Sequence, residues 1–202
     1  MKVAVVTSPR KTAHEIDTII SLFSNGLDVL HLRKPKATDG ELEIFLQQIP
    51  EEYYSRIIIH GHYKLVLKYR LKGIHLNKEH RKASLKNKWM IFKLKLKRPD
   101  LAITTSFHSL KSLRSNKSQY DYVFFTAIFS EKTHYSVEED SGMNLLRKAI
   151  SDSKLKIYAL GGVEETKLET IRAAGFHGIG LSSSIWNNAN PNEALIQPYI
   201  AA

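Results

Sequence analysis

The chain of 202 residues contains no cysteine. It can therefore form neither a disulfide nor a thiolate zinc site. Because disulfides are typical of secreted proteins, their absence favours a cytoplasmic location. The length favours one domain over residues 1–202, with enough chain for a substantial core.

Long hydrophobic runs are lacking as well. No apolar stretch approaches the roughly 20 residues that span a bilayer, and the apolar run at residues 1–7 is too short for a signal peptide. No Gly/Ser-rich or Pro-rich linker divides the chain, and no solenoid repeat is present. We therefore expect a soluble cytoplasmic protein with no membrane partner.

The whole chain carries a net charge of +10. Acidic residues are scarce in residues 78–98, where Glu79 is the one acid among nine lysines and arginines. Clustered basic residues contact nucleic-acid phosphates, but most charge runs are solvated faces. We favour the solvated face and no nucleic-acid partner. The apolar residues expected to pack inward from this segment are Trp89, Ile91, Phe92, Leu94 and Leu96.

Short apolar runs alternate with amphipathic segments, which indicates a parallel sheet with helical crossovers. The strand candidates are residues 2–7, 27–32, 56–59, 73–76, 101–105, 121–125, 155–160 and 178–181. The helix candidates are residues 13–23, 42–49, 62–70, 109–117, 142–153, 164–174 and 191–200, and the basic 78–98 segment replaces a clean helix. An open doubly wound sheet fits this alternation, but eight units favour a small TIM (β/α)8 barrel of the α/β class.

The last two strand candidates each end in small residues. Gly161 and Gly162 follow one strand at an expected helix start, and Ser182 and Ser183 follow the other. Glycines let backbone N–H groups approach a ligand, and the last two loops of a barrel form its usual phosphate pocket. The pair predicts a phosphorylated small molecule, although Gly-Gly is also common at turns that bind nothing.

Basic and imidazole side chains follow the second and third strands. His31 and Arg33 lie on the same side of a strand, and Arg33 is either an anion clamp or the partner of a neighbouring carboxylate. His60 and His62 are two potential metal ligands, but no third is evident, so no metal site is expected. His75 lies within an apolar strand and is interpreted as a satisfied core histidine.

The fifth strand ends with Ser106 and His108 where strand turns into helix. His108 can titrate near neutrality and serve as a general acid or base, or it can be a packing or capping residue. After the sixth strand, residues 129–134 form a polar loop that we interpret as covering a pocket.

These motifs together resemble the thiamine phosphate synthase/TenI superfamily of small TIM barrels, in order over nearly the whole chain. The stretches that carry the resemblance are residues 30–33, 73–76, 106–110, 121–123, 159–162 and 178–185. Synthases of this superfamily join a pyrimidine diphosphate to a thiazole phosphate with Mg²⁺. TenI is a thiazole tautomerase that aromatises a carboxythiazole phosphate by moving a proton without a metal.

The departures from the synthase pattern favour the TenI branch. The two metal-binding aspartates of the synthases correspond here to Gly61 and His80, and losing both carboxylates removes the charges that hold Mg²⁺. The synthase lysine is displaced to Lys34, and one lid threonine is kept as Thr133. His31, Arg33 and Gly61 fit the TenI pattern, as do Ser106 and His108.

The resemblance implies a metal-independent thiazole tautomerase in which His108 is the acid/base. We also expect His31 to be catalytic, and whether His31 or His60 assists His108 is left open. Gly161, Gly162, Ser182 and Ser183 would hold the thiazole phosphate. The further substrate-binding residues expected are Arg33, Lys34, Ser106, His60 and Thr133. The alternatives are a synthase with an altered metal site, which alone would need Mg²⁺, and a non-catalytic binder of thiazole or thiamine phosphate. A homodimer is left open.

Overall fold

The computed structural model describes residues 1–81, 84–126, 128–129, 140–187 and 196–201, without the side chains of residues 140, 141 and 201. Eight parallel strands pair in chain order and close into a barrel, in which β1 also pairs with β8. The strands are β1 Lys2–Val6, β2 Val29–Leu32, β3 Ile57–His60, β4 Gly73–Leu76, β5 Ala102–Phe107, β6 Tyr122–Thr126, β7 Ile157–Leu160 and β8 Gly178–Leu181. The TIM-barrel prediction is confirmed, and the open sheet is excluded.

Helices connect the strands around the barrel. They are α1 Glu15–Ser24, α2 Asp39–Gln47, α3 Leu65–Lys68, α4 Lys78–Arg81, α5 Leu85–Lys97, α6 Leu110–Arg114, α7 Asp140–Ser151, α8 Leu168–Ala173, α9 Ser183–Trp186 and α10 Gln197–Ala201. Two 3₁₀ turns cover Glu51–Arg56 and Glu165–Lys167. No helix in the described part of the chain is long and apolar enough to cross a membrane.

The apolar residues separate into two layers because successive strand residues point to opposite faces. The larger cluster, which includes Val3 and Val5, joins the outer strand faces to the helices. The smaller one, which includes Ala4, Val6 and Phe124, fills the barrel interior. This two-sided burial is why the strands read as nearly continuous apolar runs in the sequence.

The basic segment differs from expectation, since residues 85–97 form the 13-residue helix α5. The Ser84 hydroxyl caps it by accepting from the Asn87 N–H at 3.2 Å. Leu94 is buried and Ile91 packs against the core. The expectation of inward packing is wrong for Trp89, Phe92 and Leu96, which are 56%, 54% and 71% exposed, because they lie on the helix face opposite Leu94.

Candidate active site

A cavity of about 450 Å³ opens at the carboxyl ends of the strands. Residues at or just after the ends of the strands line it, among them Arg33, His60, Ser106, Leu160 and Ser182. This end of a (β/α)8 barrel is where ligands and catalytic groups lie. The cavity is therefore the candidate active site.

One wall is formed by the glycines and serines that follow the last two strands. Gly161 and Gly162 have φ angles of +96° and +67°, which residues other than glycine rarely adopt. A Cβ on Gly162 would lie 2.8 Å from the Cβ of Phe129. Ser182 and Ser183 line the same cavity, so the structure brings together all four residues predicted to hold a phosphate.

The backbone after Gly162 differs from the sequence expectation of an immediate helix start. A 3₁₀ turn at Glu165–Lys167 comes first, and α8 begins only at Leu168. The two glycines therefore shape a loop against Phe129 and do not form the first turn of a helix.

Three cationic side chains, Arg33, Lys78 and Arg81, line the cavity as well. The Arg81 guanidinium donates to the carbonyl oxygen of Ser106 and lies 4.5 Å from the centre of the Phe107 ring, so two contacts hold it in place. None of the described residues lining the cavity is acidic. The uncompensated positive charge of these three side chains makes this part of the cavity suited to an anionic group, in addition to any phosphate held at the glycines and serines.

The sequence does not single out Lys78 and Arg81 as site residues, because the whole 78–98 segment has the pattern of a solvated face. The signal was their position directly after β4, at the end of the barrel where sites form.

His108 lies at the cavity with its ring Nδ1 hydrogen-bonded to the hydroxyl of Thr126. That hydroxyl also lies 3.3 Å from the carbonyl oxygen of Phe107. In the tautomer in which it donates to this carbonyl, its oxygen accepts from Nδ1–H and the lone pair is on Nε2. Partial burial, together with Arg81 and Lys78, lowers the pKa of His108. The ring is therefore neutral at pH 7 and can accept a proton.

Three more histidines meet inside the barrel beside the cavity: His31 from β2, His60 from β3 and His75 from β4. Nδ1 of His31 lies 2.9 Å from Nε2 of His60, and the His60 and His75 rings stack with centroids 4.0 Å apart. His60 and His75 line the cavity, whereas His31 is fully buried behind them.

Burial determines the charge of these three rings. It is the first cause that lowers the pKa of each, reinforced for His31 and His60 by the neighbouring His75. For His75, burial and then Arg33 and Arg81 lower the pKa to about 3. All three imidazoles are therefore neutral at pH 7.

The interpretation of His75 as a hydrogen-bonded core histidine agrees with its contacts, which are Thr104 Oγ1 at 2.9 Å and Ser106 Oγ at 3.0 Å. The pairing of His60 with His62 does not occur, because His62 turns away to bond the carboxylate of Asp39.

Lys34 points away from the cavity, unlike its neighbour Arg33. Its ammonium group is buried and bonds the Glu15 carboxylate at 2.6 Å and the carbonyl oxygens of Ser8 and Arg10 at 2.9 Å each. All three of its N–H donors are thus occupied within the protein. The structure therefore does not bring Lys34 to the predicted substrate site, because alternation along the strand end sends it to the opposite side from Arg33. Thr133, the predicted lid residue, lies outside the described residues.

Known proteins resemble this chain over all or part of its length. A family model described as thiamine monophosphate synthase matches residues 3–185. The thiamine-phosphate synthase of Pyrococcus furiosus is 24% identical over 192 residues, covering 92% of this chain and 86% of that protein. The thiamine-phosphate synthase of Vibrio parahaemolyticus is 35% identical over 74 residues, which span 37% of this chain and 36% of the relative.

A solved structure agrees with these sequence matches. The thiamine phosphate pyrophosphorylase of Bacteroides thetaiotaomicron superposes with a TM-score of 0.75 at 32% identity, covering 98% of this chain and 94% of that one. With a family model that spans nearly the whole barrel, the chain belongs to the thiamine monophosphate synthase family.

Proposed function

We propose that the protein is a thiamine-phosphate synthase that couples a pyrimidine diphosphate to a thiazole phosphate. The observation that carries the proposal is a single cavity with two walls whose chemistry suits anions. The Gly161–Gly162 loop and the serines after β8 form one wall, and Arg33, Lys78 and Arg81 form the other. The names of the relatives support the same reaction.

The reaction needs a phosphate held still and a diphosphate released. The thiazole nitrogen forms a bond to the pyrimidine methylene carbon, and the bond from that carbon to the diphosphate oxygen breaks with its electrons leaving on the diphosphate. The glycine and serine wall orients the thiazole phosphate. Arg33, Lys78 and Arg81 stabilise the negative charge that grows on the leaving group.

The Mg²⁺ that the resemblance implies for a synthase does not fit the described site. Mg²⁺ prefers carboxylate and other oxygen ligands, and the described cavity presents imidazole, guanidinium and ammonium groups without a carboxylate. His80, at the position of one synthase aspartate, bonds Tyr63 at 3.2 Å and does not line the cavity. We therefore assign no step to Mg²⁺.

The test is to incubate the protein with both precursors, with and without added divalent metals, and to measure thiamine phosphate and released diphosphate. Replacing Arg81 by Met removes a charge-assisted contact to the leaving diphosphate, which is worth about 1.5–3 kcal/mol. The value of kcat/KM should therefore fall roughly 10- to 150-fold. The matched control is Lys88→Met, an exposed cation of the same basic segment outside the cavity, which should change kcat/KM less than twofold. No thiamine phosphate under any metal condition would overturn the proposal.

A second candidate function, thiazole tautomerase, is favoured by the environment of His108. The Thr126 contact leaves Nε2 of a neutral ring free to take a proton at the cavity, and a proton shift needs one positioned base and no metal. Arg33 would then face the substrate carboxylate and the glycine wall its phosphate.

The two reactions separate in parallel assays with the non-aromatic carboxythiazole phosphate. A tautomerase turns this compound over, and His108→Ala should slow it by about 100- to 10,000-fold, the usual contribution of a general base. Equal rates for the wild type and His108→Ala would refute the catalytic role of His108, and no turnover by the wild type would refute the tautomerase assignment. Calorimetry showing tight binding of thiazole phosphate while neither product forms would contradict both reactions.

A further inference from the structure

The histidine cluster inside the barrel is made of His31, His60 and His75, and neither candidate reaction accounts for all three rings. One ring nitrogen from each residue lies within 4.8 Å of those of the other two. The three residues come from adjacent strands, β2, β3 and β4. The nitrogens thus converge on one point because rigid strands carry them, and a site on strands is held more precisely than one on loops.

Two of the rings have a second polar partner that orients them. Nε2 of His31 bonds the hydroxyl of Tyr122, and Nδ1 of His75 bonds Thr104 Oγ1 at 2.9 Å. In the tautomer in which the Thr104 hydroxyl donates to the carbonyl oxygen of Ile74 at 3.3 Å, it accepts from Nδ1–H of His75 and the lone pair is on Nε2. The Ser106 hydroxyl lies 3.0 Å from that Nε2, so a metal ion would displace this contact. Metal-binding histidines have this arrangement, with the non-ligating N–H held by a neighbouring acceptor.

We propose that His31, His60 and His75 form a binding site for one borderline divalent transition-metal ion of the zinc class. Imidazole nitrogens suit Zn²⁺, Co²⁺ and Ni²⁺, whereas Mg²⁺ and Ca²⁺ prefer oxygen. Three histidines with one open position is a known arrangement for catalytic zinc.

The ligand distances fit one ion once the His60 and His75 rings, which stack nearly parallel at 8°, rotate out of the stack. Zn–N bonds of about 2.0–2.1 Å place tetrahedral ligand nitrogens roughly 3.3 Å apart. The His31 to His60 separation of 2.9 Å is slightly shorter than this, and the widest separation in the cluster is 4.8 Å. Side-chain rotation of the two cavity-lining rings can close that gap.

The fourth coordination position faces the cavity, because His60 and His75 line it while His31 lies behind them. A ligand oxygen or a water molecule can reach a metal there. The proposed site stands whichever of the two reactions the protein catalyses, because it depends on the donors and their placement alone.

The competing interpretation is a hydrogen-bonded chain of neutral rings, Tyr122 to His31 to His60, with no metal. It accounts for the 2.9 Å contact equally well. It differs in predicting that added metal finds no high-affinity site inside the barrel, and direct binding measurements can therefore decide between the two.

The experiment titrates the metal-free full chain with Zn²⁺ by calorimetry and with Co²⁺ by visible absorption. We expect one equivalent to bind, with the intense d–d bands of four-coordinate Co²⁺, and no uptake of Mg²⁺. His60→Asn and His75→Gln should each weaken Zn²⁺ affinity by at least about 100-fold, more than the 10- to 100-fold typical of a lost orienting partner. Thr104→Val, which removes such a partner, should weaken it about 10- to 100-fold.

The matched control is His14→Asn, at a histidine whose side chain is 70% exposed, and it should change the affinity less than threefold. Far-UV circular dichroism and thermal melts establish that each variant is folded. If a cluster variant does not fold, X-ray absorption of the zinc-loaded wild type decides, with three imidazole nitrogens expected at about 2.0–2.1 Å. Absence of stoichiometric binding, or binding that survives both His60→Asn and His75→Gln, would overturn the proposal.

Discussion

The buried ion pair between Lys34 and Glu15 leads to a strong prediction about stability. Both side chains are almost completely buried, at 6% and 4% exposure. Removing one partner of a buried pair leaves an uncompensated charge and costs about 3–5 kcal/mol. For a domain of this size, Lys34→Met should lower Tm by roughly 6–20 °C.

The matched control is the exposed pair of Lys68 and Glu43, whose side chains are 57% and 29% exposed. Lys68→Met should cost less than about 1 kcal/mol because water screens such pairs. The double variant Glu15→Gln/Lys34→Met removes both charges and should be more stable than Lys34→Met alone. Urea denaturation of all the variants at pH 7 measures these differences.

The pH dependence of Lys34→Met follows from the pKa of Glu15, which burial raises above 4.5 even though Lys34 lowers it. Without Lys34 this pKa rises further in the folded state. A carboxyl group whose pKa is higher in the folded state than in the unfolded state stabilises the fold at a pH below its unfolded-state pKa. This stabilisation is lost as the pH rises through its folded-state pKa. The stability gap between wild type and Lys34→Met should therefore shrink as the pH falls from 7 toward 4.5.

Two outcomes would refute this reasoning. The first is a stability loss for Lys34→Met no larger than that for Lys68→Met. The second is an unchanged Tm for Lys34→Met together with a raised KM for the phosphorylated substrate. That result would show that Lys34 contacts the substrate, as the sequence predicts.

Three further results are expected. In α5, Leu94→Ala should cost about 2–4 kcal/mol because Leu94 is buried, and Leu96→Ala, at an exposed leucine, about 0.5 kcal/mol or less; equal losses in denaturant melts would contradict the helix orientation. Gly162→Ala forces a side chain into a positive φ and against Phe129, so it should raise KM for thiazole phosphate, and an unchanged KM would argue against a phosphate wall there. If His108 is the base, the rate of thiazole turnover should fall as the pH drops through the lowered pKa of His108, which lies below 6.5. Because Arg81 helps to lower this pKa, the acidic limb of the pH–rate profile should move to higher pH in Arg81→Met.

The order and number of strands were predictable from the sequence. Strands of a parallel sheet are buried on both faces, and each therefore appears in the sequence as a short apolar run. The ends of the elements shifted by a few residues, as at Ile57–His60 and Ala102–Phe107, since helix and strand ends depend on caps and packing. The Gly161–Gly162 pair was also readable, because only glycine supplies the two consecutive positive φ angles.

The orientation of Lys34 was partly contained in the sequence. Alternation places His31 and Arg33 on one side, and therefore Lys34 on the other. Its partner Glu15 lies 19 residues earlier on α1, and only the packing of α1 against the end of β2 makes the pair.

The sequence by itself determined an eight-stranded barrel whose last two strands end in a Gly-Gly loop and a serine loop, because these features depend on local periodicity and backbone freedom. Only the tertiary structure decided which side chains share the cavity. His31, His60 and His75 are separated by 29 and 15 residues along the chain, and the parallel pairing of β2 with β3 and of β3 with β4 brings their ring nitrogens within 4.8 Å. Lys78 and Arg81 also line the cavity. Their position directly after β4 places them at this end of the barrel, but only long-range packing turns their side chains toward the cavity.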